Sequence, residues 1–287
     1  MAEISAPHKF QATILRVALD PSARQNLLES PSWTNFIALL DKEPNWRFVG
    51  QGWATDECKL VLLMGWKVDH EPSATFLPAA RSKLDELLAP LQSFRPQTPD
   101  VFNMSCITTW LLCTSLMTAP RSGEDPAFME MVTVAGPLSL IEPIVTEIEA
   151  NLNEFYLERY ESQSPFVRTP VLYDFWSFAV FRLDDDTGSK DGESSNDVAF
   201  ALFFKWYDEK SRTKFQDPSV EDRTPDFEVP DDFWETTVAA PLRELVKQGA
   251  HVSSWDYHEA DYVRRGRGGP RMMREIDVSD SWLDKAR

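Results

Sequence analysis

Residues 59–91, KLVLLMGWKVDHEPSATFLPAARSKLDELLAPL, decide how this chain is read. An apolar strand ends at Trp66, a short acidic turn comes next, and an amphipathic helix runs to Ala89-Pro90-Leu91. In that helix Phe76, Ala80, Leu84, Leu87, Leu88 and Leu91 recur at three- and four-residue steps, with Arg81, Lys83, Asp85 and Glu86 on the opposite side. The phrase then returns. From Val198, VAFALFFKW ends at Trp206, the polar run YDEKSRTKF succeeds it, and a helix reaches Ala240-Pro241-Leu242. A strand–helix phrase used twice is the mark of an internally duplicated fold.

Working outward, Ala12–Leu19 is a strand, and Asp20-Pro21 is a good helix start. Pro31 divides the segment between Pro21 and Leu40 into two short helices. The stretch from Asn45, NWRFVGQGWATD, alternates as a second strand, with Gly50 and Gly52 marking a bulge or a close approach. Val101–Leu112 supplies a fourth strand after the quoted helix, giving strand, helix, strand, strand, helix, strand, the ferredoxin-like unit. TAPRSGEDP at 118–126 is a linker by composition. The second unit runs through a strand at Ala127–Ala135, a helix from Pro137 to about Glu161, and strands at Val171–Leu183, Val198–Trp206 and His251–Tyr257. Its last helix, Phe233–Gln248, comes after an acidic, proline-containing insertion at 217–232 and turns Phe233, Trp234, Val238, Leu242, Leu245 and Val246 inward. The expected organisation is therefore a first repeat at 1–117, the linker, a second repeat at 127–262, and a basic, glycine-rich tail at 263–287.

Composition narrows the function classes. The formal net charge of −17 opposes binding to nucleic acid phosphates or anionic membranes. No apolar run is long enough for a membrane-spanning helix. The opening MAEISAPHKF has no basic region followed by an apolar one, so a cytoplasmic location is expected. Cys58, Cys106 and Cys113 have neither metal-ligand spacing nor a disulfide framework. Ten Trp and eighteen Phe provide a packed core or the wall of an apolar ligand cavity.

One ferredoxin-like unit has helices on a single sheet face, and its other face needs cover. A second copy supplies it. The expected fold is α+β: two fused repeats packed sheet to sheet as a pseudo-dimeric α+β barrel, with a cavity between the sheets, as a monomer or a homodimer. Gly65-Trp66 closing a strand, the acidic turn, the aromatic at Phe76 and the helix ending in Ala-Pro-Leu resemble fungal relatives of the antibiotic biosynthesis monooxygenase family, within the dimeric α+β-barrel superfamily. The likeness covers the third strand and second helix of each half, and the other elements by order. It implies a cofactor-independent monooxygenase, isomerase or cyclase of secondary metabolism, acting on an aromatic or polyketide-like compound. It equally implies a non-catalytic ligand-binding or stress-response protein of the same fold.

Strand alternation selects candidates for the cavity wall. Leu15, Val17 and Leu19 suit the helix-facing side of the first strand, which leaves Ile14, Arg16 and Ala18 opposite. Aligning Pro21 with Pro137 puts Glu130, Val132 and Val134 on that same inner face. Arg16 and Glu130 are thus candidate catalytic groups, or a structural pair, since a charge there is costly unless paired or used. Asp174 interrupts an apolar strand and is a candidate base. His70 lies in the turn after Trp66 and His258 just after the last strand, positions for a barrel mouth or an ordinary surface. Trp53, Trp110, Tyr173, Trp176, Phe204 and Trp255 are the candidate ligand-binding aromatics. No metal motif, phosphate loop or nucleophile elbow is present, so neither metal nor cofactor is expected.

Overall fold

The computed structural model describes residues 10–42, 46–55, 59–67, 85–86, 88–106, 128–162, 175–183, 197–206, 208–217, 219 and 232–264. Eight antiparallel strands carry the architecture: β1 (Phe10–Ala18), β2 (Trp46–Ala54), β3 (Lys59–Lys67), β4 (Asp100–Cys106), β5 (Phe128–Pro137), β6 (Phe175–Leu183), β7 (Asp197–Trp206) and β8 (His251–Arg264). They close into one barrel in the order β1-β3-β2-β8-β5-β7-β6-β4. Each set of four runs in the order fourth, first, third, second, and closure occurs where β2 meets β8 and β4 meets β6. The halves therefore join edge to edge, and not as two separate sheets laid face to face. Edge joining uses the backbone groups that an open sheet would leave unpaired.

The register matches between halves. Trp46 pairs with Trp66 and a bulge precedes Phe48; Phe175 pairs with Trp206 and a bulge precedes Ser177. Trp66 and Trp206 occupy the same rung. The fourth strand of the second half is longer than expected, running seven residues past Tyr257 to Arg264.

Proline places the helix starts. Around Pro31 the chain forms α1 (Ala23–Asn26) and α2 (Pro31–Leu40), with the Ser30 side chain accepting the Trp33 N–H as an N-cap. The helix α3 (Leu138–Ser162) buries Ile141, Val145, Ile148, Leu152 and Phe155 on the sheet. The two Ala-Pro-Leu triplets lie where the helical path changes type. The α-helical turn at Leu88 passes into a 3-10 turn, and the π turn before Ala240 passes into an α-helix. Most of the helix expected before Ala89 lies outside the described residues. Ala89–Phe94 is a 3-10 helix, and Ala240–Lys247 is the final α-helix, numbered α5 after α4 (Glu209–Gln216). Pro241 has no N–H and its ring crowds the carbonyl four residues back, so the chain widens first into a π turn at Glu235–Ala239. Val246, expected to face inward, is exposed.

Alternation along the strands separates three buried layers. Leu15, Val17, Leu62 and Met64 face α2, while Val132, Val134, Phe200 and Leu202 face α3 and α5. The third layer is the barrel interior, where Ile14, Val61 and Leu63 meet Met129, Met131, Phe181 and Phe203. The two halves fill it unequally. The first presents small residues: Ala12 pairs with Gly65, and Gly50 and Gly52 pair with Leu63 and Val61. A Cβ at Gly52 would stand 2.4 Å from the His258 carbonyl oxygen and 2.5 Å from the Tyr257 ring. Large side chains of the second half thus occupy space that small residues of the first leave open. Side chains of both halves meet in the barrel interior as one buried apolar cluster.

Candidate functional site

The densest polar cluster lies outside the barrel, between the second half's sheet and α4. Asp208 caps this helix by accepting the Ser211 N–H. Four residues separate Arg212 from Gln216, so both project from one face of the helix. That face meets β5 and β8, where Glu130 and Asp256 sit directly opposite each other across the strand pair. Trp206 donates its indole N–H to Glu130 Oε2 at 3.2 Å, and Gln216 donates its amide to the same oxygen at 3.1 Å. Arg212 Nη1 is 3.0 Å from Asp256 Oδ2, and its guanidinium lies 4.5 Å from the Phe128 ring centroid. Thr55, at the end of β2, donates its hydroxyl to Asp256 Oδ1. His258 meets Phe128 edge to face at 5.2 Å.

Charge in this cluster is unevenly balanced. Three carboxylates share one guanidinium: Asp256, the exposed Glu209 at 3.6 Å, and Glu130, the most deeply placed. Burial pushes its carboxyl above the ordinary glutamate range; Arg212 and the bonds from Trp206 and Gln216 pull it partly back, and Asp256 raises it again. Arg212 Nε is buried and has no hydrogen-bond acceptor. The Arg212 and Asp256 side chains are 20% and 23% exposed, so the cluster reaches solvent on their side. Behind it stand Trp206, Phe215 and Trp234, their rings 5.4–6.1 Å apart. A partly buried carboxyl with a raised affinity for its proton, a guanidinium beside it and an aromatic wall are the parts needed to move a proton and steady an oxyanion.

The candidates from sequence divide around this geometry. Arg16 faces the barrel interior as expected, sharing the alternation of Ala12 and Ile14. Glu130 does not. Met129 and Met131 point inward, so Glu130 falls with Phe128 and Val132 on the helix-facing side. Aligning Pro21 with Pro137 caused the error: β5 continues to Pro137, whereas β1 stops at Ala18, and a slip of one residue exchanges the faces. Trp53 and Phe204 also face outward, into the two sheet–helix cores, and not into a lumen. His258 lies within β8, on the outer side beside the cluster, and not beyond the strand. Trp255 packs against the interior core. Trp176 belongs to β6, but its side chain is not among those described. His70, Trp110, Tyr173 and Asp174 lie outside the described residues.

Sequence reasoning missed Arg212, Asp256, Gln216, Thr55 and Lys205. Lys205 is fully buried on the inner face of β7, opposite Met129 and Ser177. Its signal was legible, because it alternates with Phe203 just as Trp206 alternates with Phe204. Asp256 was equally placeable between Trp255 and Tyr257. Its meeting with Glu130 depends on β8 pairing with β5, which one strand cannot report. Among the described residues no group of three or more His, Cys, Asp or Glu side chains is placed to hold a metal ion. Among them, too, no helix is long and apolar enough to cross a membrane.

No protein-family model matches the chain. No curated protein sequence matches it either. Solved structures do. An anthrone oxidase-like protein superposes with a TM-score of 0.54 at 11% identity, covering 92% of this chain and 96% of its own. A protein from Fusobacterium nucleatum subsp. nucleatum ATCC 25586, provisionally named a monooxygenase, superposes with a TM-score of 0.52 at 8% identity, covering 95% and 100%. The likeness is one of fold. This chain shares an α+β architecture with an eight-stranded antiparallel sheet with both.

Proposed function

We propose that the chain is two fused ferredoxin-like repeats, 1–117 and 127–262, joined at 118–126 and continued by a tail at 263–287, and that the second repeat is a cofactor-independent oxygenase. Matching strand order and matching bulges support the duplication. The observation that carries the activity is the partly buried Glu130 carboxyl, held by Trp206 and Gln216 next to Arg212. The substrate class is an aromatic or polyketide-like ketone with an acidic C–H, in keeping with the anthrone oxidase-like neighbour. Glu130 in its carboxylate form takes the C–H proton, and Arg212 steadies the enolate oxygen. The enolate carbon then reacts with dioxygen. For anthrone the balance is one anthrone and one O2 giving one anthraquinone and one water.

Anthrone in aerated buffer is the direct probe, monitored by anthraquinone absorbance and oxygen uptake. Glu130→Gln keeps the shape and the acceptor oxygen and should lower the rate about a hundredfold. The wild-type rate should rise with pH through a value above the ordinary glutamate range, because the carboxylate is the base. Stability moves the other way. Glu130 binds its proton more tightly when folded, so folding stability falls as pH rises from the unfolded glutamate value through the folded one. Glu130→Gln should abolish that fall and be more stable than wild type at neutral pH. A wild-type rate no faster than buffer, or an unchanged Glu130→Gln rate, removes the catalytic reading. The alternative reading, a non-catalytic binding or stress-response protein of the same fold, predicts anthrone binding without turnover.

A further inference from the structure

We infer that Arg16 and Trp255 form a carboxylate-binding subsite at one mouth of the barrel, separate from the Glu130 cluster and taking an aromatic monocarboxylate. Arg16 lies on the inner face of β1, paired in register with Val61 on β3 and Asp100 on β4. Its guanidinium carbon sits 4.6 Å from the Trp255 ring centroid. Between β1 and β8 lie β3 and β2 in the barrel order, so the side chain crosses the lumen from the first half to the second. Arg16 forms no ion pair with any described carboxylate, and its buried Nε has no hydrogen-bond acceptor. The residue as a whole is only partly buried.

An arginine laid over an indole keeps its in-plane N–H groups free, and that edge matches a carboxylate with two parallel hydrogen bonds. The matching rung of the second half shows what a closed pair looks like. There Thr133 stands opposite Ser253, and the two hydroxyls are 2.6 Å apart, satisfying each other. At the first-half rung Asp100 stands opposite Arg16, yet the arginine turns to Trp255. In a chain with 46 acidic and 29 basic residues, carboxylates are plentiful and this guanidinium has taken none of those described. Asp100 and the overall charge of −17 select against phosphates and polyanions and leave a singly charged acid as the fitting partner. Trp255 and the half-buried Phe102, both packed on the interior core, give its ring an apolar seat.

The test uses 1-naphthoate as the probe and its neutral counterpart 1-naphthamide as control, by calorimetry and tryptophan fluorescence on the full chain. Naphthoate should bind saturably at one site, at least tenfold tighter than the amide, and weaken as salt rises. Arg16→Lys keeps the charge but loses the planar fork and should weaken binding about tenfold; Arg16→Gln and Trp255→Leu should weaken it further. Glu130→Gln should bind naphthoate as wild type does, so this subsite and the oxygenase reading fail separately. Should Arg16→Gln fail to fold, Arg16→Lys carries the decision. Absent naphthoate binding, equal binding of the amide, or undiminished binding by Arg16→Lys would overturn the proposal.

Discussion

The two halves of this barrel place different chemistry on the same rung. In the first half Thr13 of β1 stands opposite Asn103 of β4, and the threonine hydroxyl donates to the asparagine Oδ1 at 2.9 Å in a buried setting. In the second half Glu130 of β5 stands opposite Asp256 of β8, on the same outward face and one rung from the strand-closing tryptophan. One pair is neutral and bonded to itself. The other sets two carboxylates against each other and needs Arg212 from α4 to hold them. Inside the barrel the contrast reverses: the first half carries Arg16 opposite Asp100, the second the neutral Thr133 and Ser253. The lesson is that one backbone pattern, used twice, carries different side chains at its paired positions. Each half has kept a charged pair where the other has a pair content with itself.

The interior tests that divergence most severely. Gly52→Ala puts a methyl group against a backbone oxygen and a packed ring, neither of which can withdraw without opening the β2–β8 seam. We expect a loss of about 3 kcal/mol or more in urea unfolding. If the variant unfolds as wild type does, the unequal filling of the lumen is wrong. Arg212→Met tests the outer rung. It leaves Glu130 and Asp256 facing each other without a cation, and should cost about 2–3 kcal/mol at neutral pH, less than for a wholly buried pair because water reaches both Arg212 and Asp256. The loss should shrink as the pH is lowered and Glu130 takes up its proton, since Arg212 is the largest influence lowering the Glu130 value. Thr13 and Asn103 give the internal control, with no charge to relieve.

How far such contrasts can be read in a sequence depends on what carries them. The strands and the divided first helix are set by local pattern, because β-branched runs and a proline at a helix start act within a few residues. The faces of β1 were legible for the same reason: Leu15 and Val17 alternate with Ile14 and Arg16. The face of Glu130 was not, because β5 buries Phe128 and Val132 on one side and Met129 and Met131 on the other. A strand that is buried on both faces has lost the signal that sets its parity. The site was legible only in pieces. Glu130 could be named, but Asp256 reaches the cluster by β5–β8 pairing, Arg212 by the packing of α4, and Thr55 by closure of the β2–β8 seam, none of which a single strand reports. The Ala-Pro-Leu triplets mark a change of helix type in both halves, because a proline there lacks an N–H and crowds the turn before it.

Gln51 sharpens the comparison at its finest grain. It sits on the outward face of β2, opposite Leu62, with no exposed surface and with neither amide atom bonded. The matching residue of the second half is Val180, opposite Leu202 on the same face. An amide buried without partners costs about 1–3 kcal/mol, and a methionine of similar length has nothing to satisfy. Gln51→Met should therefore raise stability by about 1–2 kcal/mol in urea unfolding, with the denaturant slope unchanged. A shift of the midpoint in that direction would mean that the first half, at this rung, can be made as apolar as its twin without penalty. Destabilisation of the same size would show that the amide is bonded after all. Water buried beside Trp46, whose indole N–H is also without an acceptor, would then belong to the first half and have no counterpart in the second.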